Sequence, residues 1–167
     1  YEILTCDWSS DVCSSDLKNS GSRRQAREAA LQILYRMEAM PQADLDALVA
    51  DPRRLSAELL THFGHFLVPE GQREFAAELA AGTLRDRQKI DALIEGAETQ
   101  WKLGRMAAID RSLLRLAVHE MLAFSDIPPS VTINEAIELA KQFSAADSPA
   151  FINGILDQIA REKRPST

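Results

Sequence analysis

The residues best suited to chemistry in this chain are three arginines near its amino-terminal end. Arg23, Arg24 and Arg27 lie in the stretch 18–27, which contains no acidic residue. Contacts with phosphate depend on local rather than total charge, so a basic stretch remains informative on an acidic chain. The whole chain has a formal net charge of −6. A basic stretch on such an acidic chain indicates nucleic acid as a ligand.

The same arginines share a predicted helix face with two apolar side chains. At about 100° per residue, Arg24, Arg27, Leu31 and Tyr35 fall on one arc. The arc suited to the core holds Ala26, Ala29, Ala30, Ile33, Leu34 and Met37. Apolar groups among arginines suit a face that binds phosphate and also meets a partner. The alternative is that Leu31 and Tyr35 contact a second layer of this protein while the arginines are solvated.

A second candidate site is the polar turn 144–149, where Asp147, Ser148 and Pro149 open a predicted helix. Free backbone amides at a helix start favour anions such as phosphate. Phe151 lies in the first turn of this predicted helix, where its ring is able to stack on a base. The open alternative is that Phe151 is a core residue, as aromatic residues usually are. Asp147 opposes phosphate, because a carboxylate repels it.

Signals for catalysis or metal binding are weak. The sequence has no glycine-rich phosphate loop, no GxSxG elbow and no dinucleotide fingerprint. His62 and His65 are three residues apart, but no further ligands follow at a recognised metal spacing, and His119 lies in an apolar predicted helix. We therefore predict a binding protein without catalytic residues, cofactor or metal.

Residues 1–17 differ from the rest of the chain, and we interpret them as a non-native leader. From Cys6 onward they read CDWSSDVCSSDL, which is also the translation of a common DNA-sequencing adapter. Excluding them removes four acidic residues and both cysteines, Cys6 and Cys13, and changes the formal net charge from −6 to −2. A cysteine-free remainder has no disulfide or thiolate metal site and fits a reducing cytoplasm.

Helical patterns dominate the single domain that we predict over 18–167. No apolar run approaches the roughly 18 residues that span a bilayer. About seven all-α elements are predicted: 23–38, a helix from 51, 69–94, a short segment at 101–106, 108–124, a helix from 132 and a helix from 148. Thr132 and Glu135 have the spacing of a capping box, Ser148 is a predicted N-cap, and Gly82 is expected at a close helix contact.

Three blocks of this sequence resemble the NusB family of bacterial proteins. They read SRRQAREAALQILY at 22–35, RSLLRLAVHEM at 111–121, and INEAIELAKQF at 133–143 continuing into DSPAFINGILD at 147–157. Together they cover roughly half of the part after the leader, and the last block is specific. The resemblance implies a fold of two small helical bundles packed in one compact domain.

Members of that family are transcription antitermination factors. The resemblance implies binding to the boxA element of nascent ribosomal-operon RNA as a heterodimer with NusE, a protein also found in the small ribosomal subunit. The heterodimer helps the transcription elongation complex to pass terminators. The resemblance therefore implies a cytoplasmic protein that does not act at a membrane. The residues implied in RNA contact are Arg23, Arg24, Arg27, Asp147, Ser148 and Phe151, and those implied in contact with NusE are Glu28, Tyr35 and Asp110.

One departure from the family pattern is Ala150, because many members have a basic residue immediately before the phenylalanine. Two other functions stay open at this point. The chain could be a fragment of a ribosomal RNA cytosine methyltransferase that carries a NusB-like domain. It could also be a structural homodimer in which Leu31 and Tyr35 mediate self-association without RNA specificity.

Overall fold

The computed structural model describes residues 17–65, 68–97 and 102–162, with side chains from residue 23 onward. These ranges contain α-helices and short 3₁₀ helices and no strand, which confirms the predicted all-α class. The α-helices are α1 (Leu17–Met37), α2 (Gln42–Ala50), α3 (Pro52–His65), α4 (Arg73–Arg85), α5 (Arg87–Ala97), α6 (Ala108–Ala123), α7 (Pro129–Phe143) and α8 (Ser148–Glu162). The 3₁₀ helices are Glu70–Gln72 and Leu103–Arg105. The predicted leader up to residue 16, Trp101 and the tail from residue 163 lie outside the described residues.

Helix α6 is the central element of the fold. Every residue from 112 to 120 is buried, because α1, α4, α5, α7 and α8 all pack around this helix. The apolar side chains Leu113, Leu114 and Val118 are fully buried in it. Polar side chains on α6 are therefore buried as well and need partners on neighbouring helices.

The helices form two small bundles that share one core. In the first, α1 and α2 each pack on α3 and α4, and in the second, α5, α7 and α8 pack on α6. Helix α6 also contacts α1 and α4, so the apolar residues of both bundles form one continuous cluster. This arrangement is the one that the family resemblance implies. Among the described residues, no helix is long and apolar enough to cross a membrane.

Two predictions in the first bundle were wrong. The sequence analysis missed α2, a nine-residue helix whose buried apolar residues are only Leu45 and Leu48. The single helix predicted over 69–94 is a 3₁₀ turn followed by α4 and α5, with a break at Asp86. The chain bends there because α4 packs on α1 whereas α5 packs on α8.

The predicted side-chain caps of α7 and α8 were also wrong. Helix α7 begins at Pro129, three residues before Thr132, because proline suits the first position of a helix. The Thr132 hydroxyl instead donates to Glu120 Oε1 at 2.7 Å, since a buried carboxylate is a strong acceptor. Helix α8 does begin at Ser148 as predicted, but the Ser148 hydroxyl donates to Asp110 Oδ2 at 2.9 Å.

Gly82 marks a close contact between α4 and α6, as predicted. A Cβ atom built at this position would overlap with the imidazole ring of His119. That ring is buried, lies edge-on to Phe124 and has its Nδ1 atom 3.3 Å from Asp86 Oδ2. Burial lowers the pKa of His119 more than the nearby Asp86 raises it, so a neutral imidazole fills this contact.

Replacing Gly82 with alanine should lower the free energy of unfolding by about 1–3 kcal/mol, because the added methyl group forces the packed imidazole to move. The matched control is Gly154→Ala in α8, where a Cβ atom meets nothing within 4 Å. That control should raise the free energy of unfolding by up to about 1 kcal/mol through helix propensity. Urea unfolding followed by circular dichroism measures both, and equal stabilisation by the two changes would contradict the close contact.

Candidate nucleic-acid interface

Arg27 is buried in an ion pair with Glu120 and is not on an exposed face. Its Nε and Nη2 atoms donate to the two carboxylate oxygens of Glu120 at 2.7 and 2.9 Å. Arg27 is 5% exposed and Glu120 is 1% exposed. The expectation that Arg27 shares an exposed face with Arg24 is therefore wrong, because the Arg27 side chain turns towards Glu120 of α6. Its assignment to RNA stays a prediction.

Arg24 lies at the surface and pairs with an acidic residue of α7. Its Nε and Nη2 atoms donate to Glu135 at 2.9 and 2.8 Å, and 44% of the Arg24 side chain stays exposed. The hydrogen bonds to Glu135 raise the pKa of Arg24. An ion pair this exposed adds little stability, so the guanidinium remains accessible to a ligand.

Arg23 lies over an aromatic ring from α4. Its guanidinium carbon is 5.4 Å from the centroid of the Phe75 ring, and that of Arg27 is 5.5 Å from the same centroid. Phe75 in turn packs edge-on against Phe124 with ring centroids 5.3 Å apart. A guanidinium over an aromatic face is attracted by the ring quadrupole, so the Phe75 ring stabilises the guanidinium of Arg23 in this position.

A groove next to Arg23, which we call the α1–α7 groove, separates the start of α1 from the start of α7. Its volume is about 350 Å³. It is lined by Arg23, Arg27, Asp126, Ile127, Pro128, Val131 and Glu135. Val131 is 42% exposed, which is unusual here for a large apolar side chain, so the groove combines a basic group with an apolar wall.

A second groove, the α6–α8 groove, lies where the starts of α6 and α8 meet. Its volume is about 370 Å³, and its lining includes Arg105, Ala107, Asp110, Asp147, Ser148 and Phe151. The structure thus brings together the three residues predicted from the α8 turn. It adds Asp110, which the family resemblance assigned to the partner side. Within the described part of the chain, Asp110 Oδ1 is buried without a hydrogen-bond partner.

The two grooves lie towards opposite ends of α6. Glu120, which holds Arg27, and Asp110, which holds Ser148, are ten residues apart on that helix. At 1.5 Å per residue their separation along the axis is about 15 Å. A ligand in both grooves must therefore be extended, as a single-stranded nucleic acid is.

The residues predicted for a protein partner divide between surface and core. Tyr35 is 51% exposed, whereas Leu31 is 1% exposed, so contact with a second layer of the protein is confirmed for Leu31 only. Glu28 lies seven residues before Tyr35 and on the same side of α1. Glu28 is half-buried, and this burial raises the pKa of its carboxyl group. An exposed tyrosine on a helix face is typical of protein interfaces.

A second ion cluster, defined by Glu38, Asp91 and Arg115, fastens the other end of α1. Glu38 accepts hydrogen bonds from Arg111 and Arg115 of α6, and Arg115 Nε also donates to Asp91 of α5 at 2.6 Å. Desolvation, followed by the charge of Arg115, lowers the pKa of the adjacent Arg87. Sequence reasoning missed this cluster because its members are far apart in the chain.

Within the described ranges, no group of three or more histidine, cysteine or acidic residues is placed so that it could hold a metal ion. His62 is buried in α3 and contacts the guanidinium of Arg36. Phe75 and Val131 are among the interface residues that were not predicted from the sequence. The sequence pattern around Phe75 indicates an apolar helix face. Phe75 differs from an ordinary core residue only in its position under the guanidinium of Arg23.

Comparison with known proteins gives consistent results. A model described as the NusB family matches residues 24–161. The chain is 49% identical to the transcription antitermination protein NusB of Geobacter sulfurreducens, over 84% of this chain and 94% of that protein. Among solved structures, NusB of T. maritima is 34% identical with a TM-score of 0.68, covering 86% of this chain and 93% of the other.

A crystal structure of antitermination factors NusB and NusE in complex with dsRNA also has a TM-score of 0.68. It is 23% identical and covers 85% of this chain and 98% of the matched chain. At this identity the likeness shows the shared fold alone.

The buried pair predicts a strong dependence of stability on both of its members. Arg27→Met should lower the free energy of unfolding by about 3–5 kcal/mol, because it leaves the Glu120 carboxylate buried without a counter-charge. The double variant Arg27→Met with Glu120→Met should recover most of this loss, since an apolar pair of similar volume often replaces a buried ion pair. Urea titration of the single and double variants tests this, and additive losses would contradict it.

Proposed function

The chain belongs to the NusB family, and on that premise we propose that it binds boxA-type single-stranded RNA together with NusE in transcription antitermination. The observation that carries the proposal is the match to nearly the full length of a relative named for antitermination. The same match favours this function over that of a methyltransferase fragment. The burial of Leu31 weighs against the structural homodimer, because that residue is not available for self-association.

RNA binds along the side of the molecule that carries the two grooves. Arg24 contacts phosphate with its exposed guanidinium, and Arg23 contacts the RNA beside it. At the other end, the backbone amides at the start of α8 meet the RNA, and the half-buried ring of Phe151 offers a stacking surface. Asp147 is exposed at this end and moderates the affinity for phosphate.

Arg27 contributes to RNA binding mainly by positioning. Its pair with Glu120 fixes the rotation of α1 on α6, so that Arg24 points to α7 and Arg23 to Phe75. Glu120 compensates the charge of Arg27 and accepts hydrogen bonds from its Nε and Nη2 atoms. At the start of α1, the positive charge that is available to bind RNA is therefore that of Arg23 and Arg24.

NusE binds on the outward face of α1 and reaches the start of α6. Tyr35 supplies an exposed aromatic contact there, and Glu28 supplies a half-buried carboxyl group on the same face. Asp110 is assigned to the NusE side through the family resemblance; its Oδ2 atom accepts the hydrogen bond from Ser148, and its Oδ1 atom is buried. Because Asp110 lines the α6–α8 groove, it links the partner side to the RNA side.

The proposal contains no catalytic step and no cofactor. The chain acts by binding a nascent transcript within the transcription elongation complex, which places its activity in the bacterial cytoplasm. Specificity for RNA sequence then depends on unpaired bases that stack on the protein, and NusE completes the binding site.

Fluorescence anisotropy tests this function. A labelled boxA-type RNA and a scrambled control are titrated with the chain, with and without NusE. We expect tighter binding of the boxA-type RNA and a further gain with NusE, because the partner completes the site. Equal affinity for both RNAs with no effect of NusE would contradict the proposal.

A further inference from the structure

We propose that the α1–α7 groove binds one unpaired nucleobase, which stacks on the outer face of the Arg23 guanidinium. This subsite rests on the proposed function and adds a base contact to it. The residues at the start of α7 that form the groove were not among those predicted to contact RNA. The observations behind it are the position of the Arg23 guanidinium over the Phe75 ring and its place in the lining of the groove.

The Arg23 guanidinium lies between the Phe75 ring and the α1–α7 groove. Its carbon atom is 5.4 Å from the centroid of the ring. Phe75 in turn packs edge-on against Phe124. Arg23 also lines the α1–α7 groove. Arginine planes stack on unpaired bases in single-stranded RNA, and a plane already fixed loses less entropy on binding.

Arg23 differs from its two neighbours in its ionic contacts. Arg24 and Arg27 form close pairs with Glu135 and Glu120, respectively. No carboxylate of the described residues lies within ion-pair distance of Arg23. The guanidinium of Arg23 is therefore held by its contact with the Phe75 ring, and its hydrogen-bonding edge is left for the ligand.

The opposite wall of the groove is apolar. Pro128 and Val131 line it, and Val131 is 42% exposed in the absence of a ligand. A base placed between this wall and the guanidinium removes apolar surface from water on one side and stacks on the other. The volume of about 350 Å³ lies in the range of small-molecule clefts.

The charges around the groove favour a base over a phosphate. Asp126 is exposed at the rim and repels a phosphate group. Glu135 also lines the groove, but its carboxylate accepts two hydrogen bonds from Arg24, and Arg27 Nη1 lies 3.8 Å away. The charge of Glu135 is thus compensated, and the uncharged part of a nucleotide fits best.

Arg23→Lys tests the subsite, because lysine keeps the positive charge and has no plane to stack on a base. Binding is measured by anisotropy with NusE present, for the intact boxA-type RNA and for a series in which each nucleotide in turn is abasic. We expect Arg23→Lys to weaken binding of the intact RNA about tenfold. At one RNA position, the abasic replacement should weaken binding by the unaltered chain to a similar extent, and Arg23→Lys should then cause no further loss. Arg161→Lys, at an exposed arginine in the last turn of α8, is the matched control and should have no effect.

Several results would overturn the subsite while leaving the proposed function intact. One is an affinity for RNA that Arg23→Lys does not change. Another is an equal loss with Arg23→Lys for every abasic RNA, which indicates a phosphate contact. A third is that the Arg23→Lys variant binds NusE more weakly than the unaltered chain does in the absence of RNA, which would indicate that NusE occupies the groove. Failure of the unaltered chain to bind the RNA would overturn both proposals.

Discussion

Arg27 and Glu120 form an ion pair in the core, where water solvates neither charge. Each charge is therefore stabilised there by the other. The bidentate contact also fixes the relative orientation of the two side chains, because the planar guanidinium matches the two carboxylate oxygens in one arrangement. Thr132 adds a hydrogen bond to the same carboxylate, so α1, α6 and α7 are joined at one point. The rotation of α1 about its axis follows from this point, and with it the positions of Arg23 and Arg24.

A second point fixes the other end of α1. Glu38 lies eleven residues after Arg27, or about 16 Å along the helix, and contacts Arg111 and Arg115 of α6. Arg27 of α1 pairs with the later part of α6, whereas Glu38, immediately after the end of α1, pairs with the earlier part, so the two helices are antiparallel. Two charged contacts in an apolar interface determine the register of the helices as well as their rotation. Tyr35, between these points, is consequently held on the outward face.

Hydrophobic periodicity was sufficient to predict α1, α6, α7 and α8, because each has a long apolar stripe that meets a single core. It failed for α2, where two buried leucines do not define a period, and at Asp86, where a change of packing partner bends the chain. The sequence could not tell a solvated arginine from a buried one, since the partner of Arg27 is 93 residues away. For the same reason the T-x-x-E spacing at Thr132 indicated a local cap, whereas both side chains bond to other helices. The role of Phe75 likewise depends on a contact with a distant helix.

Among the arginines at the start of α1, Arg24 meets the phosphate of the RNA, whereas the charge of Arg27 is compensated by Glu120. The slope of the logarithm of the RNA-binding constant against the logarithm of salt concentration tests this assignment. It should be determined for Arg24→Met and for the double variant Arg27→Met with Glu120→Met, in which an apolar pair of similar volume keeps the helices packed. Removing one ionic interaction with a phosphate of single-stranded RNA reduces the magnitude of this slope by about 0.7. We expect such a reduction for Arg24→Met and an unchanged slope for the double variant. An unchanged slope for Arg24→Met, or an equal reduction in both variants, would contradict the assignment.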